Sequence, residues 1–593
     1  MRITKLHIKN YKSFSSSAEP IIFHTTHSLL VGKNNAGKSN ILSALQLLLG
    51  GKNPNYIKLP EDDFFDTSSP VEKQLVIGDI TENDRKELFS LPNLIKQQRG
   101  ALSSKNLEDI EIVFSFQHYF QDREEEGEIS EGGETEISEQ QQRQFEIKLW
   151  GFTIHRKIED VRFALIRMLK VPAVRNVSDE LSGSKWTYYG QLMKSVLEDS
   201  PCYGEVKQML EQLNAKIQEI FSDQKSHLLA GARVVSYVDD IHFELTKEGK
   251  PSELLRNLEV FITEGTRKIN IQNTGTGTQS AVIIGILELA LKNKPSKSRV
   301  FCVEEPEVFI HPHGIRYLGE LLRRITDDGK TQVIASTHSP ALVSTFNPQE
   351  IIRVDKAGNS TKIFQPLAGV LTEEHFKRFI NADNAELFFS DKVILVEGDT
   401  EKQLLPTLGR LTPVDDRDPD NGNCDFDKAN IGIIRLDGKE NLLNFIKVLE
   451  AFDILYLALL DNDFLQSSQL RQVCQKFNIQ VSNQSQLIND LKKNNIVINT
   501  RGETEDLIPD ADLAAITGKS VQDIQNIKSN FSQRGGKTSK AFSGGSRRTG
   551  GIFNCSKTAY AIKIADFYTG KGSHPFNDLI RGLFKFDTSL IKF

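Results

Sequence analysis

Residues 32–39 read Gly32-Lys33-Asn34-Asn35-Ala36-Gly37-Lys38-Ser39, and they constrain the fold more than any other stretch of the chain. The β-like run Ser28–Val31 precedes them. Ile41, Leu42, Leu45, Leu48 and Leu49 follow at helical spacing and stop at Gly50 and Gly51. This is GxxxxGK[ST] between a strand and a helix, so backbone N–H groups can close on phosphates while the helix N-terminus faces their charge. Gly32, Asn34, Asn35 and Gly37 would form the cradle for ATP, Lys38 would reach the β- and γ-phosphates, and Ser39 would ligate the accompanying Mg²⁺. Such a turn belongs to an α/β sheet.

A phosphate cradle needs an acid at the end of another strand. Val300–Val303 lead into Glu304, Glu305, Pro306 and Glu307. Glu304 takes the place of the carboxylate that holds Mg²⁺ through water, and Glu305 that of the base orienting the attacking water. Val333–Thr337 run into His338, placed to meet a γ-phosphate. The 265 residues between the cradle and the Glu pair exceed what a compact nucleotide-binding core needs. A large insertion or a split domain is therefore expected. Two alternating stretches, Ile110–Phe116 and Phe145–Ile154, predict a hairpin around an acidic solvated loop. The apolar positions of 204–222 predict a helix with one buried stripe, facing either the monomer or a partner subunit.

The 593 residues exceed one hydrophobic core, with about 150 residues per module as a guide. Lys plus Arg number 73 against 79 Asp plus Glu, a net charge of −6, so any nucleic-acid contact is a local patch. No apolar run reaches membrane-spanning length, and the opening MRITKLHIKN reads as a strand. The five cysteines are scattered without paired spacing, which argues against a disulfide framework or zinc and fits a cytoplasmic protein.

A second α/β pattern begins near 392. Val393–Val396 end at Glu397-Gly398-Asp399-Thr400-Glu401, and Leu457–Leu460 end at Asp461-Asn462-Asp463. A helix opening at the glycine would bring Glu401 back beside Glu397, and a period of two puts Asp461 and Asp463 on one side. Carboxylates converging at strand ends suit Mg²⁺ or Mn²⁺. Residues 533–551 are Gly/Ser-rich and carry Arg534, Lys537, Lys540, Arg547 and Arg548 without an acid. That segment is either a grip on DNA phosphates or a solvated loop.

Asn273–Ser280, with Gly275, Gly277 and Gln279, resembles the signature element of ABC ATPases in a departed order. Together with GKNNAGKSN, EEPE and STHSP it resembles the RecF/SMC branch, where one subunit's signature completes another's ATP site. That implies a homodimer or higher assembly. The ExxxE and DxD pair resembles the Toprim domain of topoisomerases, primases and some nucleases, and the whole order of motifs resembles the OLD (overcoming lysogenization defect) family of ATP-dependent nucleases. The resemblance implies an ABC/SMC-like ATPase in two parts, 1–165 and 236–380, a helical and dimerising insertion at 166–235, and a Toprim domain at 385–593. It further implies two metal ions at Glu397, Glu401, Asp461, Asp463 and Glu505, with Glu503 as a neighbour, and Lys557 supporting the transition state. The Leu436–Asn441 turn resembles the family's Gly-Lys turn. DNA would be the substrate and antiphage defence the setting, with a helicase or a retron reverse transcriptase and its msDNA as possible partners. A topoisomerase would need a tyrosine nucleophile in a further domain, and a primase a zinc module. A RecF-type clamp without cleavage is the other alternative.

Overall fold

The computed structural model describes residues 1–50, 53–89, 91, 96–120, 143–154, 162, 165–171, 193, 197, 200–220, 261–264, 266–270, 273–275, 298–308, 310, 312–367, 369–415, 422–480, 483–533, 536–544, 548 and 550–592. The chain forms two compact units, residues 1–30 with 37–337, and residues 31–36 with 338–593.

The first unit carries β1 (Arg2–Lys9), β2 (Ile21–Ile22), β3 (His27–Val31, ending at the junction), β4 (Val71–Gly78), β5 (Ile112–His118), β6 (Arg143–Leu149), β7 (Phe152–Ile154), β8 (Arg167–Val171), β9 (Phe261–Glu264), β10 (Arg267–Asn270), β11 (Arg299–Glu304) and β12 (Thr331–Thr337). Its helices include α1 (Lys38–Leu49), α2 (Tyr203–Ile220) and α3 (Pro312–Ile325). One sheet has the order β2-β1-β4-β5-β6-β7, antiparallel throughout. The expected hairpin is β5–β6, with Phe116 opposite Phe145; the acidic segment between them lies outside the described residues.

β3, β12, β11 and β8 lie side by side in that order, and β11 runs parallel to both β12 and β8. Every residue of β12 and the first five of β11 are buried, as expected of parallel strands covered on both faces. A polar side chain fits there only when saturated. Gln332 meets that condition: its Oε1 accepts the Ile3 N–H at 2.9 Å, and its Nε2 donates to the carbonyls of Ile3 and His24 at 2.9 and 2.8 Å.

One expectation changes. The span 166–235, expected to be helical, opens with strand β8, whose residues Arg167–Val171 pair with Arg299–Val303 of the nucleotide-site strand. On α2 Leu210 is buried within the chain, while Met209 and Leu213 are 65% and 50% exposed.

The second unit contains the antiparallel hairpin β13 (Ile351–Ala357) and β14 (Ser360–Phe364), then a parallel sheet of order β16-β15-β17-β18. Its strands are β15 (Lys392–Val396), β16 (Ile431–Arg435), β17 (Leu455–Asp461) and β18 (Ile496–Asn499). Among its helices are α4 (Asp399–Gly409), α5 (Leu442–Ala451), α6 (Thr538–Ser543) and α7 (Lys557–Lys571). Ile394, Val396, Leu457 and Leu459 share a core with Leu404 and Leu408 of α4 and with Tyr560, Ile564 and Tyr568 of α7. The expected boundary at 380–385 falls inside this unit. Buried Arg353 of β13 donates to the carbonyls of Phe452 and Asp453 at 3.1 and 3.4 Å and of Ser390 at 3.5 Å, while Phe388 meets Phe452 edge-on at 4.9 Å. The hairpin is bonded to this sheet's surroundings.

Candidate functional site

The cradle depends on two backbone conformations. Gly32 has φ 141° and Gly37 φ 117°, in the region that favours glycine, and a Cβ on Gly32 would lie 2.0 Å from the Val354 carbonyl oxygen. Gly37 caps α1, its carbonyl accepting the Asn40 and Ile41 N–H groups at 3.1 and 3.2 Å, so the positive end of the helix faces the turn. Asn34, Asn35 and Ser39 are exposed, whereas Lys38 is 5% exposed. Burial pushes the Lys38 ammonium down to about 8, against the pull of Glu305 and Glu307.

The adjacent acids have different surroundings. Glu304 pairs with Lys170 of β8 at 3.2 Å, a partner that sequence spacing gave no means of finding. Glu305 has φ 43°, rare for a residue with a Cβ, and its N–H donates to the Ser336 carbonyl at 3.0 Å. Glu307 accepts from Thr337 Oγ1 at 2.7 Å. His338 follows β12 and starts the second unit, its ring 6.3 Å from that of Phe389. Gly275 is exposed; Gly277 and Gln279 lie outside the described residues.

The second constellation is at the C-terminal ends of β15 and β17. Val396 is in register with Leu459, so Glu397 and Asp461 emerge next to each other, and the Asp461 N–H approaches Glu397 Oε2 at 3.4 Å. Glu401, in the first turn of α4, folds back to accept the Gly398 N–H at 3.1 Å, as the helix placement predicted. Glu505 is 1% exposed and accepts from Thr400 Oγ1 at 2.8 Å and from the Tyr560 hydroxyl. Glu503 accepts from the Ser539 N–H and Oγ at 2.7 and 2.9 Å. Lys557 opens α7 behind the Ser556 cap, and its Nζ lies 3.9 Å from the position a Cβ would take on Gly398, where Glu401 Oε2 is 3.4 Å away. Asp461 lies within electrostatic reach of Glu397, Glu401, Glu503 and Glu505, and Lys557 acts on Glu503 and Glu505.

Their protonation reflects the crowding. Burial, then Glu401, Glu397, Glu503 and Glu505, push Asp461 up to about 9. Burial and neighbouring carboxylates also raise Glu397, Glu503 and Glu505. Asp463 is the exception. Its Oδ2 pairs with Lys439 at 2.9 Å and Lys537 at 2.7 Å, and these ammonium groups hold it below the usual carboxylate range against burial. Its Oδ1 is buried without a hydrogen-bond partner.

Hard oxygen donors in mutual repulsion, one of them orphaned, fit a divalent cation. Among the described residues no three acids already close into a cage. Repulsion and the lysines on Asp463 account for that. A test follows from the signs. Folded-state values above the ordinary 3.8 of Asp cost stability as pH rises from about 4 through about 9. The metal-free chain is therefore expected to melt lower at pH 9 than at pH 6, and Mn²⁺ to raise the melting temperature more at pH 9, where the ligands have lost their protons. Equal stabilisation at both values would contradict this arrangement.

With both sites described, the likeness to known proteins can be stated. The profile of the AAA ATPase domain family matches residues 1–343, more than half of the 593. The chain belongs to that family. Residues 388–463 match the Toprim domain of overcoming lysogenization defect protein-like proteins. The AAA ATPase and Toprim domains imply use of ATP and a divalent metal. The chain is 26% identical over 550 residues to the Old nuclease of Escherichia phage P2, covering 85% of this chain and 84% of that one. It is 25% identical to the OLD nuclease of Thermus scotoductus, over 50% of this chain and 57% of that one. It is 26% identical to the endonuclease GajA of Bacillus cereus, over 40% of this chain and 36% of that one. Among solved structures it resembles an SMC head bound to the C-winged helix domain of ScpA, at 15% identity, over 62% of this chain and 98% of that one, with a TM-score of 0.39. No helix among the described residues is long and apolar enough to cross a membrane.

Sequence reasoning overlooked Lys170, Tyr560 and Ser539, which donates twice to Glu503. Tyr560 had a signal: it lies three residues after Lys557, on the same face of α7. Arg534 and Arg547 of the basic run lie outside the described residues, and Lys537 faces carboxylates.

Proposed function

We propose that the chain is an ATP-binding and ATP-hydrolysing, divalent-metal-dependent DNA endonuclease whose Toprim site cuts phosphodiesters under control of the ATPase. One observation carries the reading: Glu397, Glu401, Asp461 and Glu505 meet beside Lys557, with most of these acids driven toward protonation by one another. The chain's likeness to the Old nuclease of Escherichia phage P2 supports it.

Two Mg²⁺ or Mn²⁺ ions would be held by Glu397, Glu401, Asp461, Asp463 and Glu505, and a third would accompany ATP at Ser39 with Glu304. When bound, the Toprim ions supply an activated water and charge neutralisation at the leaving oxygen. The protein's own groups do the rest. Glu397 and Asp461 would present their carboxylates to the ions from adjacent strand ends. Lys557 offsets charge growing on its oxygens. Tyr560 and Thr400 hold Glu505 to one orientation. In the ATPase, Lys38 would bind the phosphates, Glu305 would orient water, and His338 would contact the γ-phosphate. Exposed Gly275, with Gly277 and Gln279, would complete the site of a second copy in a homodimer or larger assembly. The setting would be cytoplasmic antiphage defence, with a helicase or a retron reverse transcriptase and msDNA as candidate partners.

The test is supercoiled plasmid with Mg²⁺ or Mn²⁺, with and without ATP. Nicked and linear products are expected. Binding without breaks would indicate a RecF-type clamp instead, and relaxed, covalently closed circles a topoisomerase.

A further inference from the structure

Resting on the Toprim reading, we propose that Lys537 is a positioning residue of the metal site, a tethered cation that balances the Asp463 side of the acid cluster and sets how weakly a divalent ion binds there. Its Nζ lies 2.7 Å from Asp463 Oδ2 and 3.9 Å from Glu503 Oε1. Asp463 Oδ1 is buried and unpartnered, the open seat for an ion on that carboxylate.

The residues after Lys537 fix the same wall. Thr538 Oγ1 donates to Asp506 Oδ1 at 2.6 Å, and Ser539 donates twice to Glu503. Asp506 in turn accepts the Glu503 N–H at 2.8 Å. Lys537-Thr538-Ser539 is thus a strap across the acidic element 503–506, and its first residue brings the charge.

Lys439 also reaches Asp463 Oδ2, but it has a second bond, to the Asp463 carbonyl at 3.2 Å, and is 19% exposed. It is part of the fold. The Lys537 side chain is 44% exposed, and the groups it pairs with are carboxylates. An ion on Oδ1 would sit within a few ångströms of that ammonium, and solvent reduces their repulsion without removing it. Orientation by Lys537 would act oppositely, since loss of an outer partner that steadies a ligand weakens metal binding. Lys439, with its second bond to the Asp463 carbonyl, keeps that carboxylate tied when Lys537 loses its charge, so charge decides the sign.

The experiment is titration of the full chain with Mn²⁺, free ion read by electron paramagnetic resonance, without DNA or nucleotide. Lys537→Gln is expected to bind the weaker ion about tenfold more tightly than the parent, and Lys537→Arg to bind it as the parent does. Lys537→Met replaces the glutamine variant if that one does not fold. Unchanged or weaker binding by the uncharged variants overturns the proposal while leaving the metal site intact. If Asp461→Ala removes no Mn²⁺ from the parent protein, the Toprim reading falls, and this proposal with it.

Discussion

Asp461→Asn is expected to lose about a thousandfold or more in plasmid cleavage and yet to melt higher than the parent when both are free of metal at pH 8. The two effects have one cause. Asp461 is pressed by Glu401, Glu397, Glu503 and Glu505 in a buried setting that holds its proton up to about 9. An amide of the same shape spares the fold the proton uptake that Asp461 requires at pH 8, stabilising the metal-free fold by about 1 kcal/mol and raising its melting point by about 2 °C. It also removes an anionic oxygen from the ion's coordination, which no neighbour replaces. Glu397→Ala should lose cleavage to the same degree. Parental cleavage in either variant, or a lower melting point for metal-free Asp461→Asn, would show that these acids do not form one cation site.

Lys38→Ala is expected to reduce ATP turnover by about a hundredfold or more. Burial brings the ammonium down to about 8 although Glu305 and Glu307 favour its charge, so a bound polyphosphate would favour the charged form further. The substitution leaves every Toprim acid in place, and Mn²⁺ binding without nucleotide should match the parent's. Undiminished ATP hydrolysis would remove the cradle assignment. Cleavage by this variant, measured with and without ATP, also gives the direction of control: cutting that persists without turnover marks hydrolysis as a brake, and cutting that disappears marks it as a licence.

Much of the fold was readable because a few strands carry period and punctuation together. Val300–Val303 and Val393–Val396 are short, wholly apolar and end at acids, and both are buried strands of parallel sheets. Glu401 was placed correctly because a helix starting at the glycine leaves it one turn in. What escaped were pairings between distant segments. Nothing near Lys170 announces that a strand will carry it to Glu304, and nothing in 533–551 separates Lys537 from its basic neighbours. Composition identified that run as a phosphate grip or a solvated loop, and the structure turns one of its lysines inward. Periodicity makes the apolar positions of α2 one stripe facing the monomer or a partner and cannot choose between the two; within the chain Leu210 is buried while Met209 and Leu213 are exposed.

Arg353 bears on how this protein can be taken apart. A fragment cut at residue 388, where the homologous Toprim segment begins, would discard the guanidinium and strand the carbonyls of Ser390, Phe452 and Asp453, with Phe388 and Phe452 left near a raw edge. Excision just before His338 keeps that donor in place. A piece carrying the acid cluster is thus expected to need chain well before the matched segment, because Arg353 of β13 caps the carbonyls that lead into β15 and β17.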